Sequence, residues 1–240
     1  MPTVPLPIFN TEYLLAKNTL VVADLHLGIE RTLALLGFNL PNRTNKLLDK
    51  ICKCNGDELI LLGDFKDQVA AVSDGLGREL ENAARQFHER FDRVILVQGN
   101  HDGGIDKSLD KYMTVAPSKG IVLGDIGFAH GHAHVSEEIL ECKTLIIGHI
   151  HPRITFIDRL QRTNHEPCWY RIPVKKNALG KLQEILVMPA SNPLCGGSSV
   201  NKKSEPLLGP LLKTEFIHRG KGEVYLLDGT HLGKISDLWI

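Results

Sequence analysis

Five short apolar runs each end in a cluster of acid, amide or imidazole side chains, and this recurrence constrains the chain more than any other feature. Thr19 to Ala23, Glu58 to Leu62, Arg93 to Val97 and Thr144 to Ile147 are aliphatic, rich in β-branched residues and short, as strands require. They run into Asp24-Leu25-His26, Gly63-Asp64, Gly99-Asn100-His101-Asp102 and Gly148-His149-Ile150-His151. A fifth strand, Ile121 to Ala129 with a turn at Gly124-Asp125, ends at His130. Asn42 to Cys52 and Ser73 to Arg90 carry helical spacing, the second with Leu76, Leu80, Ala83, Ala84 and Phe87 as its apolar stripe. Alternating strands and helices predict a layered α/β domain with a largely parallel sheet, and polar side chains collected at its strand ends.

Those side chains suit one kind of chemistry. On an extended strand, residues two apart project to the same side, so Asp24 with His26, and His149 with His151, can each converge on one ion. Gly63 removes the Cβ that would crowd a close-packed pocket, and the two oxygens of Asp64 can serve one ion each. Asn100 offers an amide oxygen and His130 a ring nitrogen. Ala129-His-Gly-His-Ala-His134 leaves His132 and His134 as competitors for the His130 role. Two ions about 3.5 to 4 Å apart can clamp a phosphoryl group and lower the pKa of a bound water. Imidazole, carboxylate and amide donors suit manganese, iron or zinc better than calcium or magnesium.

Composition excludes some functions. Lys plus Arg and Asp plus Glu are 28 each, so net charge supplies no steering toward nucleic acid or an anionic membrane. The five cysteines form no CxxC pair, which argues against a zinc knuckle or disulfide framework. Met1-Pro-Thr-Val-Pro starts no basic-then-apolar leader, and no apolar run approaches the roughly 20 residues of a membrane span, so a cytoplasmic protein with no membrane partner is expected. The length predicts a single domain over residues 1–240, with a motif-bearing core at 15–157 and a decorated part at 158–240. Within that later part, Gln183 to Pro189 and Glu223 to Leu227 read as strands. Arg153 to Lys181 is the one basic stretch, with Trp169 and Tyr170 as stacking candidates for a nucleic acid and Arg153 as a substrate contact. Gly196-Gly197-Ser198-Ser199 reads as a loop near the site.

The ordered motifs DxH, GD, GNHD, HG and GHxH, here Asp24-Leu-His26, Gly63-Asp64, Gly99-Asn-His-Asp102, His130-Gly131 and Gly148-His-Ile-His151, resemble the calcineurin-like metallophosphoesterase superfamily. Asp24-Leu-His-Leu-Gly28 and Pro189-Ala-Ser-Asn-Pro-Leu-Cys-Gly-Gly197 are similar to small archaeal phosphoesterases related to the SbcCD nuclease subunit and to bacterial phosphoesterases associated with DNA ligase. The resemblance implies a four-layer αββα sandwich, two mixed β-sheets flanked by helices. It assigns Asp24, His26, Asp64 and His151 to one ion, and Asp64, Asn100, His130 and His149 to the other, with Mn²⁺ favoured over iron or zinc. His101 becomes the general acid, with Asp102 as its orienting partner. Lys66, in the unusual continuation Phe65-Lys66-Asp67, is placed beside the substrate. The implied reaction is phosphodiester hydrolysis on DNA or a nucleotide. A homodimer is compatible with it, since related nucleases work as dimers with an ATPase. The rival reading is a non-catalytic scaffold like one retromer subunit, which this intact ligand set disfavours.

Overall fold

A computed structural model describes residues 5–69, 74–105 and 107–240. Two mixed sheets form its middle. The first has the order β1 (Leu6–Pro7), β2 (Leu14–Ala16), β3 (Thr19–Val22), β4 (Glu58–Leu62), β5 (Arg93–Val97) and β6 (Thr114–Ala116), parallel from β3 onward. The second has the order β14 (His231–Lys234), β13 (Glu223–Leu226), β11 (Thr163–Pro173), β12 (Glu184–Val187), β9 (Thr144–Ile147), β8 (Ile126–Phe128) and β7 (Ile121–Leu123), with β10 (Arg153–Ile157) paired to β11. Here β8, β9 and β12 run parallel and the other pairs are antiparallel.

Strand alternation explains why two sheets stack. Side chains two apart share a face, so Leu20 and Val22, Leu59 and Leu61, and Val94 and Leu96 point one way, while Val21, Ala23, Ile60, Leu62 and Val97 point the other. The second set meets Ile126, Phe128, Ile146, Trp169 and Met188 of the second sheet in a core between the sheets. A strand that is apolar on both faces must be covered on both. On the first sheet the outer cover is helical: α2 (Thr44–Cys52) and α3 (Asp74–Arg90) bury Leu47, Leu48 and Ile51 and the stripe Leu76, Leu80, Ala83, Ala84 and Phe87. Over the second sheet the cover is thinner, made of α4 (Glu137–Leu140) with Leu207, Leu211, Leu212, Ile217 and Ile235 from C-terminal turns.

The α2 and α3 positions and the strands agree with the periodicity in the sequence, although Ser73 lies outside the described residues. The Ile121 to Ala129 run is a hairpin that turns between Leu123 and Ile126. One helix was not expected: α1 (Ile29–Leu35) starts directly after Gly28, which holds φ 87°. Residues beyond Ile157 supply β11 to β14 of the second sheet.

The aromatic pair of the basic stretch is a correction. Trp169 and Tyr170 are 1% and 0% exposed, because β11 is an interior strand between β12 and β13. Trp169 faces the core between the sheets and Tyr170 the core beyond the second sheet, so neither can stack on a base. No helix among the described residues is long and apolar enough to cross a membrane.

Candidate metal centre

Backbone pairing continues past the strand ends and carries the motifs to one place. Beyond β3 and β4, Asp24 N–H donates to the Gly63 carbonyl at 3.2 Å, His26 N–H to Asp64 at 2.8 Å and Leu27 N–H to Phe65 at 3.0 Å. Beyond β8 and β9, Gly148 N–H donates to the His130 carbonyl at 3.0 Å. The Asp24 carboxylate joins the two sheets, 2.9 Å from His130 Nε2 and accepting the His149 N–H at 3.1 Å.

The turns that present these groups are strained in a consistent way. Asp24, His26, Asp64, His149 and His151 hold φ of 55°, 41°, 48°, 70° and 45°. They make up five of the nine non-glycine residues with positive φ among the described residues. Each such conformation costs about 1–3 kcal/mol and persists only where the surroundings impose it, a pattern that clusters at functional sites. Close approach adds a second constraint. A Cβ on Gly99 would lie 2.3 Å from Asp64 N, and one on Gly63 would lie 2.4 Å from the His130 ring.

Three groups of ligand atoms lie within 4.8 Å of one another: His26 with Asp64 and His101, Asp64 with His130 and His149, and His26 with His151 and Cys195. Asp64 is common to the first two. Its Oδ2 is 3.5 Å from both His26 Nε2 and His130 Nε2. Its Oδ1 accepts the His101 N–H at 2.8 Å. Asn100 is exposed next to His101 in the chain. His132 Nδ1 lies 2.9 Å from His130 Nδ1, outside these three groups.

The donor set fits metal ions. His26 Nδ1 is 3.2 Å from Asp67 Oδ1 and His151 Nδ1 is 3.0 Å from the Gly196 carbonyl. An acceptor at Nδ1 places the proton there and leaves the Nε2 lone pair for a metal. In both rings Nε2 is buried and makes no hydrogen bond, and each faces a carboxylate oxygen, Asp64 Oδ2 at 3.5 Å from His26 and Asp24 Oδ1 at 3.3 Å from His151. With the proton on Nδ1, a ring lone pair and a carboxylate oxygen face each other in both places, an arrangement that a cation between them relieves.

Electrostatics follow from that crowding. Burial opposes ionisation of Asp24, but His151 and His130 outweigh it and hold the carboxyl below the usual carboxylate range. Burial also disfavours charge on His130 and His151, yet Asp24 beside both of them raises each pKa. At His149, burial and the neighbouring His130 bring it down to about 4.

Residues 17–167 match a family model described as calcineurin-like phosphoesterase, more than half of the chain. The chain belongs to the calcineurin-like phosphoesterase family. Among solved structures, this phosphoesterase is similar to nuclease MPE of Pseudomonas putida, with 21% identity, a TM-score of 0.58, and 94% of this chain and 98% of that chain covered. It also matches the protein AQ665 of Aquifex aeolicus, with 21% identity, a TM-score of 0.40, and 55% and 78% covered. A third match is Yfce, a phosphoesterase from E. coli, with 14% identity, a TM-score of 0.34, and 90% and 97% covered. No curated protein sequence matches this chain.

Two of the sequence-based roles in this phosphoesterase are corrected by the structure. Asp102 does not orient His101: its carboxylate is fully buried and accepts the N–H groups of Phe65 at 2.9 Å and Gly99 at 2.8 Å. It braces the Asp64 turn against the Gly99 turn, and burial raises its pKa. The Lys66 side chain is turned into the protein. It is 0% exposed, and its ammonium donates to the Gln68 and His101 carbonyls, with burial lowering its pKa against three nearby carboxylates.

Asp67 is the residue that motif reading passed over. Its Oδ1 contacts His26 Nδ1, its Oδ2 accepts from Thr32, and its carbonyl holds His101 Nδ1. A carboxylate three positions after Asp64 was the available signal. Arg153 donates through Nη2 to the His165 carbonyl at 2.8 Å and lines a cavity of about 120 Å³ with His151, Cys195 and Gly196. The loop from Ala190 does reach the site: Ser191 N–H donates to Ala23 O and Asn192 Nδ2 to Leu25 O, both at 2.9 Å.

Proposed function

We propose that this phosphoesterase hydrolyses phosphodiesters of DNA or nucleotides at a centre of two divalent transition-metal ions. The observation that carries the reading is the pair of buried Nε2 atoms of His26 and His151, oriented by Asp67 and Gly196, beside strained turns that gather Asp24, Asp64, His130 and His149. When bound, two such ions stabilise phosphoryl charge and supply an activated water. Asp24, His26, Asp64 and His151 would hold one ion, and Asp64, Asn100, His130 and His149 the other, with Asp64 shared. Manganese fits this oxygen and imidazole donor set, as do iron and zinc.

The chain's own groups supply the remaining roles. His101 is partly exposed, with 27% of its side chain open, and Asp67 O fixes its Nδ1. That leaves Nε2 as the atom from which a proton reaches the leaving oxygen. Arg153, in the cavity beside His151, offers a cation to a phosphate of the substrate. A diester on DNA is the harder substrate to support, because the basic stretch has lost its stacking residues to the core and Arg162, Arg171 and Lys181 are paired with Asp158, Glu184 and Glu141.

Metal-stripped protein given manganese is to be assayed on bis-p-nitrophenyl phosphate and on labelled single-stranded DNA, with Asp64→Asn as control. Cleavage of both, lost in the variant, supports a nuclease. Cleavage of the small ester alone points to a nucleotide, and inactivity with manganese, iron and zinc revives the scaffold reading.

A further inference from the structure

The loop that follows β12 brings a soft donor to a site otherwise built of imidazole and carboxylate. Cys195 Sγ lies within 4.8 Å of a ring nitrogen of His26 and of one of His151, which are themselves within that distance of each other. None of the other four cysteines belongs to such a group among the described residues. Three contacts fix the thiol's position. Ser191 N–H donates to Ala23 O at 2.9 Å, Cys195 N–H to Asn192 O at 3.0 Å, and the Gly196 carbonyl engages His151 Nδ1 at 3.0 Å. Sγ itself has only a long contact, 3.9 Å to the Asp24 carbonyl, which is weak for a thiol donor. His26, a member of this group, is 5% exposed, and its Nε2 is buried without a hydrogen-bond partner.

We propose that Cys195 is an additional ligand of the ion held by His26 and His151, and that it biases this position toward a thiophilic ion, zinc above manganese. The proposal rests on the two-ion reading of the site. Ligation forms one sulfur–metal bond and releases the thiol proton to solvent, so no oxidant or reductant is involved. Thiolate donors favour zinc, whereas carboxylate and carbonyl donors suit manganese, so one sulfur among harder donors shifts the preference of one position and not the other.

Cobalt tests this without an activity assay. Apoprotein of the wild type, Cys195→Ser and Cys168→Ser is to be loaded with Co²⁺, with bound cobalt counted by elemental analysis and folding checked by thermal melting. The proposal predicts a near-ultraviolet thiolate-to-cobalt charge-transfer band in the wild type and in Cys168→Ser, absent from Cys195→Ser although that variant is folded. Competition between zinc and manganese should move toward manganese by about 10-fold or more in Cys195→Ser, at least the effect of losing an outer-shell partner. Cobalt bound to the wild type without the band, or a band that survives in Cys195→Ser, overturns the ligand assignment alone. Protein that binds no cobalt overturns the two-ion reading and this inference with it.

Discussion

The turns that carry the proposed ligands and the β10–β11 hairpin, which begins just after the His149–His151 turn, answer opposite questions about polar residues. In the turns, the polar atoms of Asp24, His26 and Asp64 are buried, held at positive φ and braced by other buried groups. At the far end of the hairpin the charges are exposed: Arg162 pairs with Asp158 at 2.7 Å with 76% of its side chain open. A buried polar group that lacks a partner destabilises the fold by about 1–3 kcal/mol whatever its role, whereas a paired surface charge contributes about 0–1 kcal/mol. Burial, more than charge density, separates the proposed site from solvated surface here.

The comparison can be broken most forcefully at His101. If it is the proton donor, His101→Ala lowers kcat on the small diester by about 10²- to 10⁴-fold while bound metal per chain is unchanged. An unaltered kcat would remove His101 from the chemistry. Asp102→Ala should act on the fold instead, because it leaves the Phe65 and Gly99 N–H groups buried without acceptors. Each orphaned group costs about 1–3 kcal/mol, to be read by denaturant unfolding, and equal stability of the variant would contradict the bracing role. Asp67→Ala should weaken metal binding about 10- to 100-fold by calorimetry, since His26 loses the partner that fixes its tautomer. The smallest effect belongs to the hairpin. Arg162→Ala should change stability by less than about 0.5 kcal/mol and leave the salt dependence of any DNA binding unaltered. A salt slope reduced by about one would make Arg162 a phosphate contact after all.

What the sequence made legible follows the same division. The β-branched runs and the stripe of α3 were readable because period-two and period-3.6 patterns arise within a single element. The proposed ligand set was readable because both members of the Asp24/His26 and His149/His151 pairs are close in sequence. Asp67 was not, since its contact with His26 spans 41 residues and exists only once the β3 and β4 extensions pair. Adjacency misled at Asp102: it follows His101 directly, yet its carboxylate turns back to the Gly99 and Phe65 amides. Trp169 and Tyr170 misled in the opposite way, because a local basic composition says nothing about whether a strand will be interior. The short exposed helix α1 carries Leu35, 87% exposed, so no amphipathic pattern announced it.

Anomalous diffraction from crystals grown with manganese tests the central claim most directly. The account predicts two peaks about 3.5–4 Å apart, one beside His26 and His151 and the other beside His130 and His149, with Asp64 between them. A single peak, or peaks away from these histidines with full occupancy elsewhere, would contradict it.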